Sequence, residues 1–129
     1  AKPCQDNGLH LIALVSPATP IERARKIMAE ASGFIYSINV CGVTGVRDLH
    51  QQEIAEHLAV LKENSSVPIA AGFGINDAQA AQRLSRIADG VIVGSAFIKI
   101  LSGAGEFSQR LEAAREFIAD LAKNVRRQS

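Results

Sequence analysis

Apolar runs of strand length alternate with helix-like segments along the whole chain. Each run ends in glycine, proline or a small polar residue, and helical periodicity follows it. Alternation of this kind predicts a parallel sheet with crossover helices, because parallel neighbours cannot be joined by a tight hairpin. The sequence therefore predicts an α/β domain over residues 1–129 with a long final helix. The apolar runs lie at residues 9–16, 34–40, 67–71 and 91–94.

Two architectures fit four βα units. The units form either a small open sheet with helices on both faces, or half of a (β/α)₈ barrel, which takes about 250 residues when complete. Half a barrel leaves two sheet edges and one helix-free face exposed, which is unfavourable for a monomer. Residues 1–8 resemble the end of a helix that Gly8 terminates, and the chain starts without Met. We therefore expect that its beginning is missing.

Composition narrows the possible partners and compartment. A net charge of +1 argues against nucleic-acid binding, and no apolar run approaches the ~20 residues that span a bilayer. Cys4 and Cys41 match neither a metal spacing nor a disulfide framework. His10, His50 and His57 share no ligand spacing, so we interpret them as structural or surface residues. The sequence predicts a reduced, cytoplasmic protein without a metal site.

Two glycine-containing loops follow the third and fourth apolar runs. Gly72, Phe73 and Gly74 end one run, and Gly94 and Ser95 end the next. Glycine lets a ligand approach the backbone N–H groups, and a helix that begins there adds positive charge. In (β/α)₈ barrels the loops after strands 7 and 8 often hold a phosphate. The pattern predicts a phosphate site, although the same glycines also suit tight turns and close packing.

Local signals predict where several helices start. Thr19, with Glu22 three residues later, suggests a capping box for a helix near residue 20, and Asn76 is the expected cap of a helix over residues 77–88. Residues 41–49 contain two glycines and little periodicity, so they are predicted to form a loop, with a helix from residue 51 onwards. Long loops of this kind are often active-site lids.

Three motifs in order, together with the run that precedes them, closely resemble the tryptophan synthase alpha chain family. The resemblance covers essentially the whole sequence but only the C-terminal half of the family, its strands 5 to 8. The motifs are Gly-Val-Thr-Gly at 42–45, Gly-Phe-Gly-Ile at 72–75 and Gly-Ser-Ala at 94–96, after Tyr-Ser-Ile-Asn-Val-Cys at 36–41.

The resemblance implies a TIM barrel that cleaves indole-3-glycerol phosphate to indole and glyceraldehyde 3-phosphate in a retro-aldol step. It implies no cofactor in the alpha chain. A beta chain would receive the indole within an α2β2 complex and perform the pyridoxal phosphate chemistry. By the same resemblance Thr44 belongs to the catalytic lid, and Tyr36 and Phe73 line the substrate site. The remaining substrate-binding positions are Gly45, Gly72, Gly74, Gly94 and Ser95.

The family's two catalytic carboxylates follow strands 1 and 2, which have no counterpart here. Asp48 is the one acid on a loop predicted to face the site; the other acids fall mostly on predicted helices and turns. We therefore expect the chain alone to be inactive. Two alternatives remain at this point. One is another phosphate-binding TIM-barrel enzyme, and the other is a non-catalytic half-barrel that pairs with itself or with an N-terminal half.

Overall fold

The sheet contains four parallel strands in the order β1-β2-β3-β4. The structure, a computed structural model, describes residues 2–38, 47–72, 75 and 77–125, and for residues 2 and 47–51 it describes the backbone alone. Every neighbouring pair of strands is parallel, which confirms the alternation predicted from sequence. The strands are β1 (Ala13–Val15), β2 (Ile35–Ile38), β3 (Ile69–Gly72) and β4 (Gly90–Ile92).

A helix follows each strand, and a short helix precedes the first. The last helix is the long one expected from the sequence, and Gly8 adopts a positive φ of 65° after α1, as expected for a residue that ends a helix. The helices are α1 (Lys2–Asp6), α2 (Ile21–Ala29), α3 (Arg47–Asn64), α4 (Ala78–Ser85), α5 (Ser95–Leu101) and α6 (Phe107–Val125).

Within the part of the chain that the structure describes, helices cover one face of the sheet and leave the other open. Ile35 pairs in register with Ala13 and Ile69, and Ile35 and Ile69 are buried in the core formed with the helices. The next position along β2, Tyr36, pairs with Leu14 and Ala70 on the opposite face. Leu14 is 54% exposed there. This one-sided burial matches half of a barrel and not an open sheet with helices on both faces.

The core lies between the covered face of the sheet and the apolar stripes of the helices. Helical spacing predicts three inward residues on α3, and all three are buried, as are Ala24 and Met28 of α2. On and after α4, Ala81, Leu84 and Ala88 are buried as predicted, whereas Ala80 and Ile87 are only partly buried. The inward residues of α3 are Ile54, Leu58 and Leu61.

The apolar stripe on α6 is only half covered by the other described elements. Ala114 and Leu121 are buried, but Phe107, Leu111 and Ile118 are 65%, 52% and 46% exposed. α6 packs against α4 and α5. Among the described residues no further element covers the other edge of its stripe, so those side chains face solvent.

The capping box predicted for α2 does not form. Pro20 is the N-cap, and no side chain caps the helix. The Thr19 hydroxyl accepts a hydrogen bond from the Ser16 N–H (3.2 Å), and Glu22 binds Arg25 (2.9 Å). Both members of the predicted box are engaged elsewhere: Thr19 belongs to the turn that leaves β1, and Glu22 to an ion pair within the helix.

Two other helix starts also differ from the predicted ones. The Asp77 carboxylate accepts a hydrogen bond from the Ala80 N–H (2.7 Å), so Asp77 is the cap of α4. Asn76, the predicted cap, lies outside the described residues. Helix α3 begins at Arg47, so Asp48 lies in its first turn and not in a loop.

Candidate functional site

The carboxyl ends of β2, β3 and β4 meet at one edge of the sheet. Ile38 pairs with Gly72, and Gly72 pairs with Ile92, so the loops after these strands leave the sheet side by side. In barrels of this architecture the active site lies at this edge. The predicted site residues that the structure describes are Tyr36, Gly72, Gly94 and Ser95.

Tyr36 packs directly over Gly72. The two residues lie on the same face of the sheet, and the half-buried Tyr36 ring covers the space where a side chain at position 72 would begin. A Cβ atom at Gly72 would overlap Cε2, Cζ and the hydroxyl oxygen of Tyr36. Gly72 is therefore required for the packing of Tyr36 at the end of β3.

Gly94 differs from Gly72 because no described residue packs against it. A Cβ built at Gly94 meets no atom within 4 Å, and both Gly94 and Ser95 are exposed. Gly94 is the N-cap of α5, and no side chain caps this helix. Its φ of −113° is also open to other residues, so neither packing nor backbone strain explains a glycine here. The remaining reason for a glycine at position 94 is that it lets a ligand approach the backbone closely.

Several predicted site residues cannot be placed. Thr44, Gly45, Phe73 and Gly74 lie outside the described residues, as does Cys41. The structure therefore brings together Tyr36 and Gly72 on one sheet face and sets the start of α5 at the same edge. The contributions of the lid and of the loop after β3 stay predictions.

Two described acids close to the ends of the strands have structural partners. Asp77, at the start of α4, is used to cap that helix. Asp89 lies at the opposite edge of the sheet, where it accepts a hydrogen bond from the Ile69 N–H (2.9 Å) and pairs with Lys62 (3.1 Å). In barrels, residues at the amino-terminal ends of the strands contribute to stability and not to catalysis. The side chain of Asp48 is not described, so a catalytic role for it stays untested.

Neither a metal-binding cluster nor a membrane-spanning helix is present among the described residues. No group of three or more His, Cys, Asp or Glu side chains is arranged to hold a metal ion. No described helix combines the length and the hydropathy needed to cross a membrane.

Comparison with known proteins identifies the family to which this site belongs. The family model for the tryptophan synthase alpha chain matches residues 1–126. The chain belongs to the tryptophan synthase alpha chain family. The alpha chain of Methanocaldococcus jannaschii is 43% identical over 98 residues, 76% of this chain and 35% of that protein. The alpha chain of Thioalkalivibrio sulfidiphilus is 37% identical over 123 residues, 95% of this chain and 45% of that protein.

Solved structures confirm the fold and the extent of the match. The Campylobacter jejuni tryptophan synthase alpha subunit superposes with a TM-score of 0.79 at 33% identity, covering 90% of this chain and 46% of that one. A chain of Mycobacterium tuberculosis tryptophan synthase superposes with a TM-score of 0.80 at 27% identity. The match covers 98% of this chain and 44% of that one. This chain thus spans less than half the length of these tryptophan synthase relatives and forms half of a TIM barrel. The family match does not favour the alternatives raised from the sequence.

Proposed function

We propose that this chain forms the phosphate-binding and lid portion of a tryptophan synthase alpha active site. The reaction would be retro-aldol cleavage of indole-3-glycerol phosphate to indole and glyceraldehyde 3-phosphate. Membership of the family supports this proposal, as does the position of Tyr36, Gly72 and Gly94 at one edge of the sheet. The observation that carries it is Gly94, an exposed helix-start glycine that packing does not require.

The proposed phosphate site uses backbone groups and no cationic side chain. Gly94 and Ser95 begin α5, where N–H groups point out of the helix. The loop that contains Gly74 and the lid residue Gly45 would add further N–H donors. Together they would surround the phosphate of the substrate, because a dianion is stabilised by several converging donors.

The proposed indole site lies above the uncovered sheet face. Tyr36 is held there by its contact with Gly72, which limits the positions that its ring can take. Phe73 would provide a second aromatic surface, and Thr44 would close over the substrate as part of the lid. Apolar and aromatic walls suit an indole ring, because burial of the ring supplies most of its binding energy.

Catalysis requires groups that this chain lacks. Cleavage breaks the bond between the indole ring carbon and the glycerol unit, forms an aldehyde and leaves the bonding electrons on the ring. A base must take the glycerol hydroxyl proton, and an acid must protonate the ring carbon. The resemblance places both carboxylates in the family's N-terminal half. We therefore propose that the chain is inactive until that half completes the barrel.

The remaining partners follow from the same family membership. The Mycobacterium tuberculosis relative is described as tryptophan synthase. We propose that a completed barrel docks to a tryptophan synthase beta chain, which would receive the indole. The alpha reaction itself would use no cofactor. The cytoplasm stays the predicted compartment.

The decisive experiment measures indole release from indole-3-glycerol phosphate. The 129-residue chain is assayed alone and then mixed with the separately produced N-terminal half of a family member. We expect activity only in the mixture. Turnover by the chain alone would contradict the proposal that the catalytic carboxylates lie in the N-terminal half. Asp48 would then be the first residue to replace. Absence of activity in a mixture that forms a stable complex would contradict the proposed reaction.

A further inference from the structure

A cavity of about 630 Å³ lies between α2 and α3, next to the loop that leaves β1. Its wall contains none of the described site residues Tyr36, Gly72, Gly94 and Ser95. Its volume falls within the range of about 300–1,000 Å³ that is typical of small-molecule sites. Its wall is formed by Pro17, Thr19, Pro20, Ile21, Ala24, Glu53, Glu56, His57, Val60 and Leu61.

Hydrogen bonds hold both walls of the cavity in place. Arg25 of α2 donates a hydrogen bond from Nε to Oδ1 of Asn64 at the end of α3 (3.1 Å), which ties the two helices together beyond the cavity. The Thr19 hydroxyl accepts from the Ser16 N–H and lies 3.3 Å from the Ser16 hydroxyl, which holds the loop at the other end. A preformed site reduces the entropy that a ligand must lose on binding.

Most of the wall is apolar. Ala24 and Leu61 are only 2% and 0% exposed, because both belong to the core beneath the cavity. Ile21 and Val60 remain 39% and 37% exposed, so they offer aliphatic surface that no described residue covers. Pro17 and Pro20 add rigid apolar surface. An apolar body in this space would gain binding energy from the water that it displaces.

The polar part of the wall favours a cation. Glu56 contributes a carboxylate whose Oε1 accepts a hydrogen bond from the neutral Gln52 amide (3.1 Å). Glu53 also lies in the wall. Burial lowers the pKa of His57, which keeps its imidazole neutral at pH 7. His57 Nε2 is buried without a hydrogen-bond partner among the described residues.

We propose that this cavity binds a small organic cation with an apolar body, of the arylalkylamine class. The ring and alkyl carbons contact Ile21, Val60 and the two prolines, and the ammonium group lies beside Glu56. This site is independent of the proposed phosphate site, which selects the opposite charge. The Glu56 carboxylate in the wall disfavours an anion with the same body.

The test uses 2-phenylethylammonium as the probe, with the 129-residue chain labelled for methyl and amide NMR. We expect a Kd in the millimolar range. The chemical shifts of the Ile21 and Val60 methyl groups should therefore change saturably as the probe is titrated to about ten times that concentration. Two probes with the same body serve as controls, the neutral 2-phenylethanol and the anionic 3-phenylpropionate. The cation should bind about three- to fivefold more tightly than the alcohol, as expected for one partly exposed ion pair.

Variants locate the binding site. Glu56→Gln should remove the preference for the cation over the alcohol, whereas Glu116→Gln, an exposed acid on α6, should leave it unchanged. Val60→Arg places a cation in the cavity and should abolish binding, while unchanged amide dispersion shows that the fold is intact. Absence of shifts at Ile21 and Val60, or binding of 3-phenylpropionate at least as tight as that of the amine, would overturn the proposal.

Discussion

Gly72 and Gly94 are both glycines at the end of a βα strand, yet they serve different needs. Gly72 is buried, and the Tyr36 ring occupies the space of its missing side chain. Gly94 is exposed and faces open space. One glycine therefore allows a packing contact, and the other leaves the backbone accessible. This distinction supports separate experiments on stability and on phosphate binding.

Gly72→Ala should destabilise the chain by roughly 1–3 kcal/mol, because the added methyl group displaces the Tyr36 ring. The matched control is Gly94→Ala, which should change stability by less than about 0.5 kcal/mol because its methyl group meets nothing. Urea denaturation measures both. In the Tyr36→Ala background, Gly72→Ala should lower the free energy of unfolding much less. An undiminished loss of stability in that background would show that the contact with Tyr36 is not the cause.

Gly94→Asp should weaken binding of a phosphate-containing substrate analogue at least tenfold in the completed barrel, because it places a negative charge at the proposed site. The open space at position 94 means that folding should tolerate the change. Ser108→Asp adds the same charge at an exposed position on α6 and is the control. Calorimetric titration of indolepropanol phosphate gives the comparison. Equal affinity in both variants would remove Gly94 from the phosphate site.

His57 makes stability depend on pH in a defined direction. Burial lowers its pKa in the folded state below the ordinary value of about 6.5, so the unfolded chain binds the proton more tightly. Its contribution is fully present above pH 6.5 and decreases as the pH falls through and below that value. The Tm should therefore fall between about pH 7 and pH 5, and His57→Gln should make this fall smaller. An unchanged pH profile in the variant would show that His57 is not the group responsible.

Helix α6 shows how one apolar stripe divides between core and solvent. Leu121 is 7% exposed and Leu111 is 52% exposed, although both belong to the same periodic pattern. The difference arises because α4 and α5 cover one edge of the stripe and no described element covers the other. The pattern shows which residues are apolar, and the neighbours decide which of them are buried.

Leu121→Ala should therefore cost about 2–5 kcal/mol, the usual range for a buried leucine. Leu111→Ala removes the same atoms from a half-exposed position, and its cost should stay within about 0.5 kcal/mol in the isolated chain. Chemical denaturation of the two variants under the same conditions measures the difference. Equal costs would mean that Leu111 is covered in solution, for example by a second molecule.

The whole molecule exposes more surface than its mass predicts. Its accessible area is 9055 Å², whereas a compact monomer of 13.7 kDa exposes about 6,600 Å². The excess, about 2,500 Å², includes the uncovered face at Leu14 and the open edge of the α6 stripe. An area of this size is comparable with that of obligate interfaces. It is consistent with a chain that spans less than half the length of its relatives.

The proposed N-terminal half should therefore raise the Tm of this chain when the two are mixed, because a partner that binds only the folded state stabilises it. Leu14→Lys introduces a charge on the uncovered face and should weaken the association at least tenfold, with little effect on the isolated chain. Ala59→Lys adds the same charge at an exposed position on α3 and should have no effect. Association insensitive to Leu14→Lys would place the interface elsewhere.

The sequence by itself determined the order of the elements and much of the core. Alternation of apolar runs with helical periodicity is a local property, so four parallel βα units, the inward residues Ile54, Leu58 and Leu61 and the end of α1 at Gly8 were all predictable. The motifs also predicted the family, because their order and spacing are properties of the chain itself.

Only the tertiary structure decided which of those local options were used. Thr19 fits a capping box by spacing, but its hydroxyl bonds to Ser16, and Asp77 caps α4. Glycine at 72 and at 94 looks alike in the sequence, and the Tyr36 ring distinguishes them. The exposure of Leu14 and Leu111 and the cavity beside His57 follow from which elements pack together. The Tyr36–Gly72 contact, these exposures and the cavity depend on elements far apart in the chain, so no local pattern contains them.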